Sequence, residues 1–266
     1  MKSIYLIKSY IIKNLLLAIL VTTCIIFNAF PQVSGGDFFV KQLNSSQFSI
    51  QIRIIAACSD TNIPDSIGVS SISSRARIFD NSNDTLITDF TSGLADSVLD
   101  VSYGDECYTP PGLCSKAYYY STIVSLPISV SRFYFTWKVN NRYSTTNISS
   151  ASSYVFYSEF SLDISLPSNT LPKFDLIVSK GYGCISYPFP IDFSCTEPDG
   201  DSLVYSIVNL MNGFSTSGSK PLSTSTYSQG ISKPLGLGSN CQINSSTGMV
   251  TARIAQLGLF SLAVKC

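Results

Sequence analysis

Strict alternation of apolar and polar side chains recurs along this chain, and a period of two commits a segment to a half-buried β-strand. Over 132–139, Phe133, Phe135, Trp137 and Val139 share one face while Arg132, Tyr134, Thr136 and Lys138 take the other. Phe48, Ile50, Ile52 and Ile54 alternate with Gln47, Ser49, Gln51 and Arg53 in the same way. Over 154–164, Phe156, Phe160, Leu162 and Ile164 point together, opposed by Ser161 and Asp163. Shorter strands are expected at 76–79, 85–90, 97–103, 117–126, 203–208, 248–254 and 259–265. Turn-forming runs such as Asn81-Ser82-Asn83-Asp84, Pro110-Pro111-Gly112 and Asp199-Gly200 separate them. No stretch beyond the N-terminal segment sustains a helical period. The expected class is all-β, in antiparallel sandwiches.

Composition narrows the chemistry. Charged residues make up only 13% of the 266 positions, and 46 Ser and 18 Thr supply the polarity instead, as suits strands with hydroxyl-lined outer faces. The chain has no histidine, which removes Ser-His-Asp and Cys-His catalysis, imidazole-ligated zinc and any histidine general base. Only three glutamates are present, with no second acidic cluster to make the carboxylate pair of a glycoside hydrolase. Seventeen basic residues balance seventeen acidic ones, leaving no electrostatic footprint for nucleic acid. The expectation is a non-enzymatic protein whose partner is a surface protein or a glycan.

The N terminus reads as an address. Lys2, Lys8 and Lys13 precede the apolar run Leu15–Phe27, and the first acidic residue is Asp37. A basic flank before a short apolar core is the pattern of a secretory signal helix, assigned to residues 1–35 with cleavage between Ala29 and Gly36. The alternative is a retained transmembrane helix, reached by counting from Ile11 across Lys13 to Phe30. Either way membrane contact is confined to this segment. The expected location is extracellular or on the outer cell surface.

Export sets the expectation for cysteine. Eight are present, Cys24 leaves with the signal, and no pair shows CxxC spacing, so disulfides are the default. Cys107 and Cys114 flank the turn-rich 108–113 and suggest a local loop closure. Cys195 shares the parity of Ile191 and Phe193, and Cys241 that of Ile243, which favours a Cys195–Cys241 bridge, with Cys184 as the alternative partner of either. Cys266 is left as the odd cysteine.

A proline-flanked polar joint, Leu166 to Pro172, marks a boundary between a first sandwich at 36–170 and a smaller one at 172–266. The last expected strand runs almost to Cys266, so the chain is expected to be the N-terminal part of a longer protein. In the second block, Glu197-Pro198-Asp199-Gly200-Asp201 places three carboxylates on one turn. Those of Glu197, Asp199 and Asp201 could offer oxygens to Ca²⁺, or could cap backbone amides in a solvated turn. No other cofactor is expected. In Tyr118-Tyr119-Tyr120, alternation sends Tyr119 to one side of its sheet and its neighbours to the other, favouring core and sheet surface over a sugar-stacking platform.

The segment from Glu197 to Val208 resembles the Asp-x-Asp-Gly-Asp-x-Leu-x-Tyr signature of bacterial immunoglobulin- or cadherin-like modules, with Glu197 where the signature has its first Asp. Such modules continue with a hydrophobic-Asp-x-x-Thr-Gly segment and a Gly-x-Phe/Tyr strand. Ile243-Asn244-Ser245-Ser246-Thr247-Gly248 and Gly258-Leu259-Phe260 are similar to these. Together with Cys58 at the end of a long strand and the Trp137 strand followed by Asn140-Asn141-Arg142, the order resembles large secreted surface proteins of Bacteroidetes, of the gliding-motility-associated or polycystic-kidney-disease-like kind. The resemblance implies two consecutive immunoglobulin-like β-sandwich domains after the signal helix, and a role in adhesion or surface structure. A carbohydrate-binding module of a polysaccharide-utilising system is the alternative.

Overall fold

The computed structural model describes residues 33–58, 76–90, 95–104, 114–140, 142–150, 153–161, 169–175, 181–214, 219–220, 222–228, 237 and 240–266. The expected signal helix or anchor therefore lies outside the described residues, apart from the start of the first strand. Among the described residues every regular element is a β-strand, and no helix is long and apolar enough to cross a membrane.

The first part of the chain supplies β1 (Val33–Gln42), β2 (Gln47–Ala57), β3 (Ala76–Asp80), β4 (Leu86–Phe90), β5 (Ser97–Val101), β6 (Ser115–Ser125), β7 (Arg132–Asn140), the short β8 (Ile148–Ser150) and β9 (Ser153–Ser161). Two antiparallel four-stranded sheets result, in the orders β1-β2-β6-β5 and β4-β3-β7-β9. The inward residues read from the alternation meet between them. Phe48, Ile50, Ile52 and Ile54 from one sheet share a buried cluster with Phe133, Phe135, Trp137 and Val139 from the other. Ring contacts knit the layers, with centroids 5.8 Å apart for Phe48–Phe160 and 4.3 Å for Phe38–Phe135, and Trp137–Phe156 at 5.5 Å joins neighbouring strands of the second sheet, within or close to the range favoured by aromatic pairs.

Tyr134 and Thr136, read as solvent-facing, are fully buried. The outer face of the second sheet is covered by chain that returns from far along the sequence. Phe79 stacks on Tyr134 at 5.0 Å, and the Tyr134 hydroxyl donates to Asp84 Oδ1 at 2.8 Å. The Lys220 ammonium lies 4.5 Å above the Tyr134 ring, donating to Asn81 Oδ1 at 2.6 Å and to Glu159 Oε1 at 3.3 Å.

The later part consists of short ladders. They are β10 (Lys173–Phe174), β11 (Phe189–Asp192), β12 (Cys195–Thr196), β13 (Ser206–Val208), β14 (Met211–Phe214), β15 (Leu222–Thr224), β16 (Thr226–Tyr227), β17 (Gln242–Ile243), β18 (Met249–Ala252) and β19 (Ala263–Lys265). Its own core gathers Phe189, Ile191, Leu237, Cys241, Val250 and Ala252 around the β11-β18-β17 sheet. The two parts touch directly, and Pro31–Cys266 is one compact unit. β16 pairs with β8, residues 169–171 bond along the β1 edge, and Leu210 and Tyr227 enter the first core.

The expected strand at 259–265 is cut to its last three residues for a local reason. The Asn147 side-chain amide donates to Ser261 O at 2.7 Å and accepts from Ser261 N at 2.9 Å. A side chain thereby replaces the neighbouring strand that would have extended the ladder.

Burial makes the first core sensitive to alkali. Tyr120 is 3% exposed, and burial, reinforced by Tyr118, pushes its hydroxyl up to about 12. An unfolded tyrosine ionises near 10, so between pH 10 and 12 the unfolded chain loses a proton that the folded chain keeps. Stability is intact below pH 10 and should fall by about 1.4 kcal/mol per pH unit above it from this residue. Urea titrations at pH 8, 10 and 11 read the effect directly, and the decrement should shrink in Tyr120→Phe.

Candidate functional site

The outward face of the first sheet carries Asp37 and Phe39 on β1, Gln51 and Arg53 on β2, and Tyr119 on β6, brought side by side by the registers Asp37↔Arg53 and Arg53↔Tyr119. β10 and β12 lie against this face and close a cleft of about 340 Å³ between them. Phe39, Arg53 and Tyr119 form the sheet side, while Lys173, Asp175 and Thr196 form the opposite wall, with Pro198 at its rim.

Arg53 is the hub. Its Nε and Nη2 donate to the two carboxylate oxygens of Asp37 at 2.7 and 2.6 Å, and Nη2 also donates to Phe174 O at 3.1 Å. The paired contact is the two-pronged geometry that makes Arg–carboxylate bonds strong and directional. Burial pushes the Asp37 carboxyl up, and Arg53 and Lys173 pull it back. The same burial opposes the Arg53 charge, and Asp37 more than restores it. The pair holds β10 onto the sheet.

Lys173 extends over the Phe39 ring, 5.6 Å from its centroid, and donates to Gln51 Oε1 at 3.3 Å. The Thr196 hydroxyl donates to Asp175 Oδ1 at 2.5 Å. Arg53 and Lys173 are thus matched by Asp37 and Asp175. The cleft carries no net charge, with the Phe39 and Tyr119 rings on the sheet side and the Thr196 hydroxyl between Lys173 and Asp175 on the other. This arrangement suits a neutral, hydroxyl-rich ligand better than an ion. Alternation placed Tyr119 opposite Tyr118 and Tyr120. Indeed Tyr118 and Tyr120 are buried in the core while Tyr119 is half-exposed in the cleft. Lys173, Asp175 and Thr196 escaped the sequence because their role depends on contact across the expected boundary.

The acidic turn borders the cleft. Gly200 takes φ +88°, a conformation glycine adopts without steric cost. Glu197 Oε2 accepts from the amides of Gly200 and Asp201, the latter at 2.7 Å, and Asp199 Oδ2 accepts from Thr170 N at 2.6 Å. Two of the three expected calcium ligands therefore bind backbone amides. Among the described residues no group of three or more acidic or cysteine side chains converges as a metal centre. Glu197→Ala should cost about 1–2 kcal/mol through lost charge-assisted bonds, equally in calcium and in chelator. A thermal midpoint that falls on chelation in wild type but not in Asp199→Asn would instead reinstate calcium at this turn.

The cysteines pair differently from expectation. Cys114 is bonded to Cys58, with Cα atoms 5.2 Å apart, not to Cys107, which lies outside the described residues. The β2–β6 register explains the choice. Ala57 sits opposite Ser115, so the next residues outward face each other, and Cys58 N donates to Cys114 O at 3.0 Å. The Cys195–Cys241 bridge is absent and both are free thiols. Asp192 Oδ1 accepts from Ser194 N at 2.9 Å, and this turn breaks the parity beyond Phe193, which still packs on the second core with Ile191. Cys241 stays in the second core, while Cys195 joins β12, opposite Phe174.

The chain matches no protein-family model, no curated protein and no solved structure at a significant level.

Proposed function

We propose that this is an exported, non-enzymatic protein of the bacterial cell surface or its surroundings, built of immunoglobulin-like sandwiches and acting in adhesion or as surface structure. The observation that carries the reading is the Cys58–Cys114 cross-link at the ends of the two longest strands, since such bonds persist in oxidising compartments. The basic flank and apolar core ahead of β1 support it from the sequence side. Val33 is fully buried and its carbonyl accepts from Tyr143 N–H, which supports a cleavage point ahead of β1. Sequencing of material shaved from intact cells should begin between Phe30 and Val33. A chain recovered only from the cytoplasm, with Cys58 and Cys114 reduced, would overturn the proposal.

The charge-balanced cleft with its aromatic faces favours a second reading, a carbohydrate-binding module. The two separate on insoluble polysaccharides. An adhesive protein with a protein partner should pass through unretained. Retention that disappears in Tyr119→Ala and in Lys173→Ala would assign the cleft to glycan.

A further inference from the structure

Two of the free thiols are close neighbours in space. The turn at Asp192–Ser194 delivers Cys195 to β12, where its N–H donates to the Tyr205 hydroxyl at 2.9 Å. β19 pairs with β13 in the register Ser206↔Lys265. One step further along that ladder sets Cys266 opposite Tyr205. Both cysteines thus approach the same tyrosine from different strands, close enough for the Cys266 thiol to bear on the ionisation of Cys195. Both are half-buried, whereas Cys184 is exposed and Cys241 is enclosed in the second core.

We propose that Cys195 and Cys266 form a second disulfide of the mature protein, fastening β19 to the β10–β12 ladder. Thiols brought to the same tyrosine by two neighbouring ladders need little backbone movement to reach bonding distance. Closing a loop of about 70 residues restricts the unfolded chain strongly. The Cys58–Cys114 bond marks the chain as one that acquires disulfides. The oxidant is a disulfide, of oxidised glutathione or of a thiol–disulfide oxidoreductase. One cysteine attacks it as thiolate, releasing a first thiol and leaving a mixed disulfide. The second cysteine displaces the remaining thiol, so two protons and two electrons leave the pair and the oxidant becomes two thiols. Burial, then Cys266 beside it, raises the Cys195 thiol well above its ordinary range. Few Cys195 thiolates exist at neutral pH, and closure should accelerate in mild alkali. The bond lies one residue from Thr196 on the cleft wall, and it does not depend on what the cleft binds.

The test uses the full chain, refolded in a mixture of reduced and oxidised glutathione, quenched with acid, then denatured and alkylated. Chymotrypsin cuts after Phe193, Tyr205 and Phe260, which separates Cys195 from both Cys184 and Cys241. The expected result is a fragment containing Cys195 joined to one containing Cys266, released by reductant. In Cys266→Ser the Cys195 fragment should instead carry alkyl label while Cys58–Cys114 stays closed, showing that the variant has folded. Wild-type protein with Cys58–Cys114 closed but Cys195 and Cys266 both alkylated would overturn the proposal. So would a link from Cys195 to Cys184 or Cys241.

Discussion

Trp137→Ala should lower the stability of the chain by about 3–5 kcal/mol, the range for deleting a fully buried aromatic side chain. Trp137 is wholly inaccessible, packs against Phe156 and sits opposite Ala76 in the β3–β7 ladder, so little around it can collapse into the void. A domain is typically stable by only about 5–15 kcal/mol, and the loss would leave a large share of molecules unfolded near body temperature. Urea denaturation followed by far-ultraviolet circular dichroism is the measurement, because the substitution also removes the chain's only tryptophan and with it the fluorescence signal. Trp137→Phe, which keeps a ring, should lose much less. A cost below about 1 kcal/mol for the alanine variant would mean that the two sheets do not enclose this residue.

The Cys58–Cys114 cross-link should contribute about 4 kcal/mol on the chain-entropy estimate, given its sequence separation of 56 residues. Cys58→Ser/Cys114→Ser should therefore unfold at markedly lower urea than wild type in oxidising buffer. In excess dithiothreitol the two proteins should converge, since both then lack the bond. Failure to converge would trace the loss to packing of the thiols rather than to the cross-link.

The alternation carried much of the first sandwich. It gave the inward faces of 47–54 and 132–139 and the outward direction of Tyr119, because a half-buried strand writes its orientation into successive residues. It missed what arrives from a distance. Tyr134 is covered by Lys220, more than eighty positions away. Period two describes one strand and does not register a covering segment. The partner of Cys114 depended on the β2–β6 register, which no local turn reveals. The direction of Cys195 was lost at one side-chain turn, where the Asp192–Ser194 bond ends the parity that Ile191 and Phe193 share. The cleft was illegible for the same reason as the burial of Tyr134. Its two walls come from β1, β2 and β6 on one side and Lys173, Asp175 and Thr196 on the other, and only the tertiary fold brings them together.

The return of the later chain onto the first sandwich also governs the order of assembly. Tyr227 and Leu210 belong to the core built around Phe48 and Trp137, β8 finds its partner in β16, and the β1 edge is occupied by residues 169–171. While residues beyond about 170 are still being synthesised, the two large sheets lack part of their filling and expose a strand edge, a site open to pairing with other chains. Most pairings here span long stretches of sequence, and such topologies fold slowly because loop closure precedes the contacts that reward it. The native core can close only after Tyr227 has emerged. A chain of this design spends its vulnerable interval unfinished, with apolar surface and a strand edge exposed until its last third arrives.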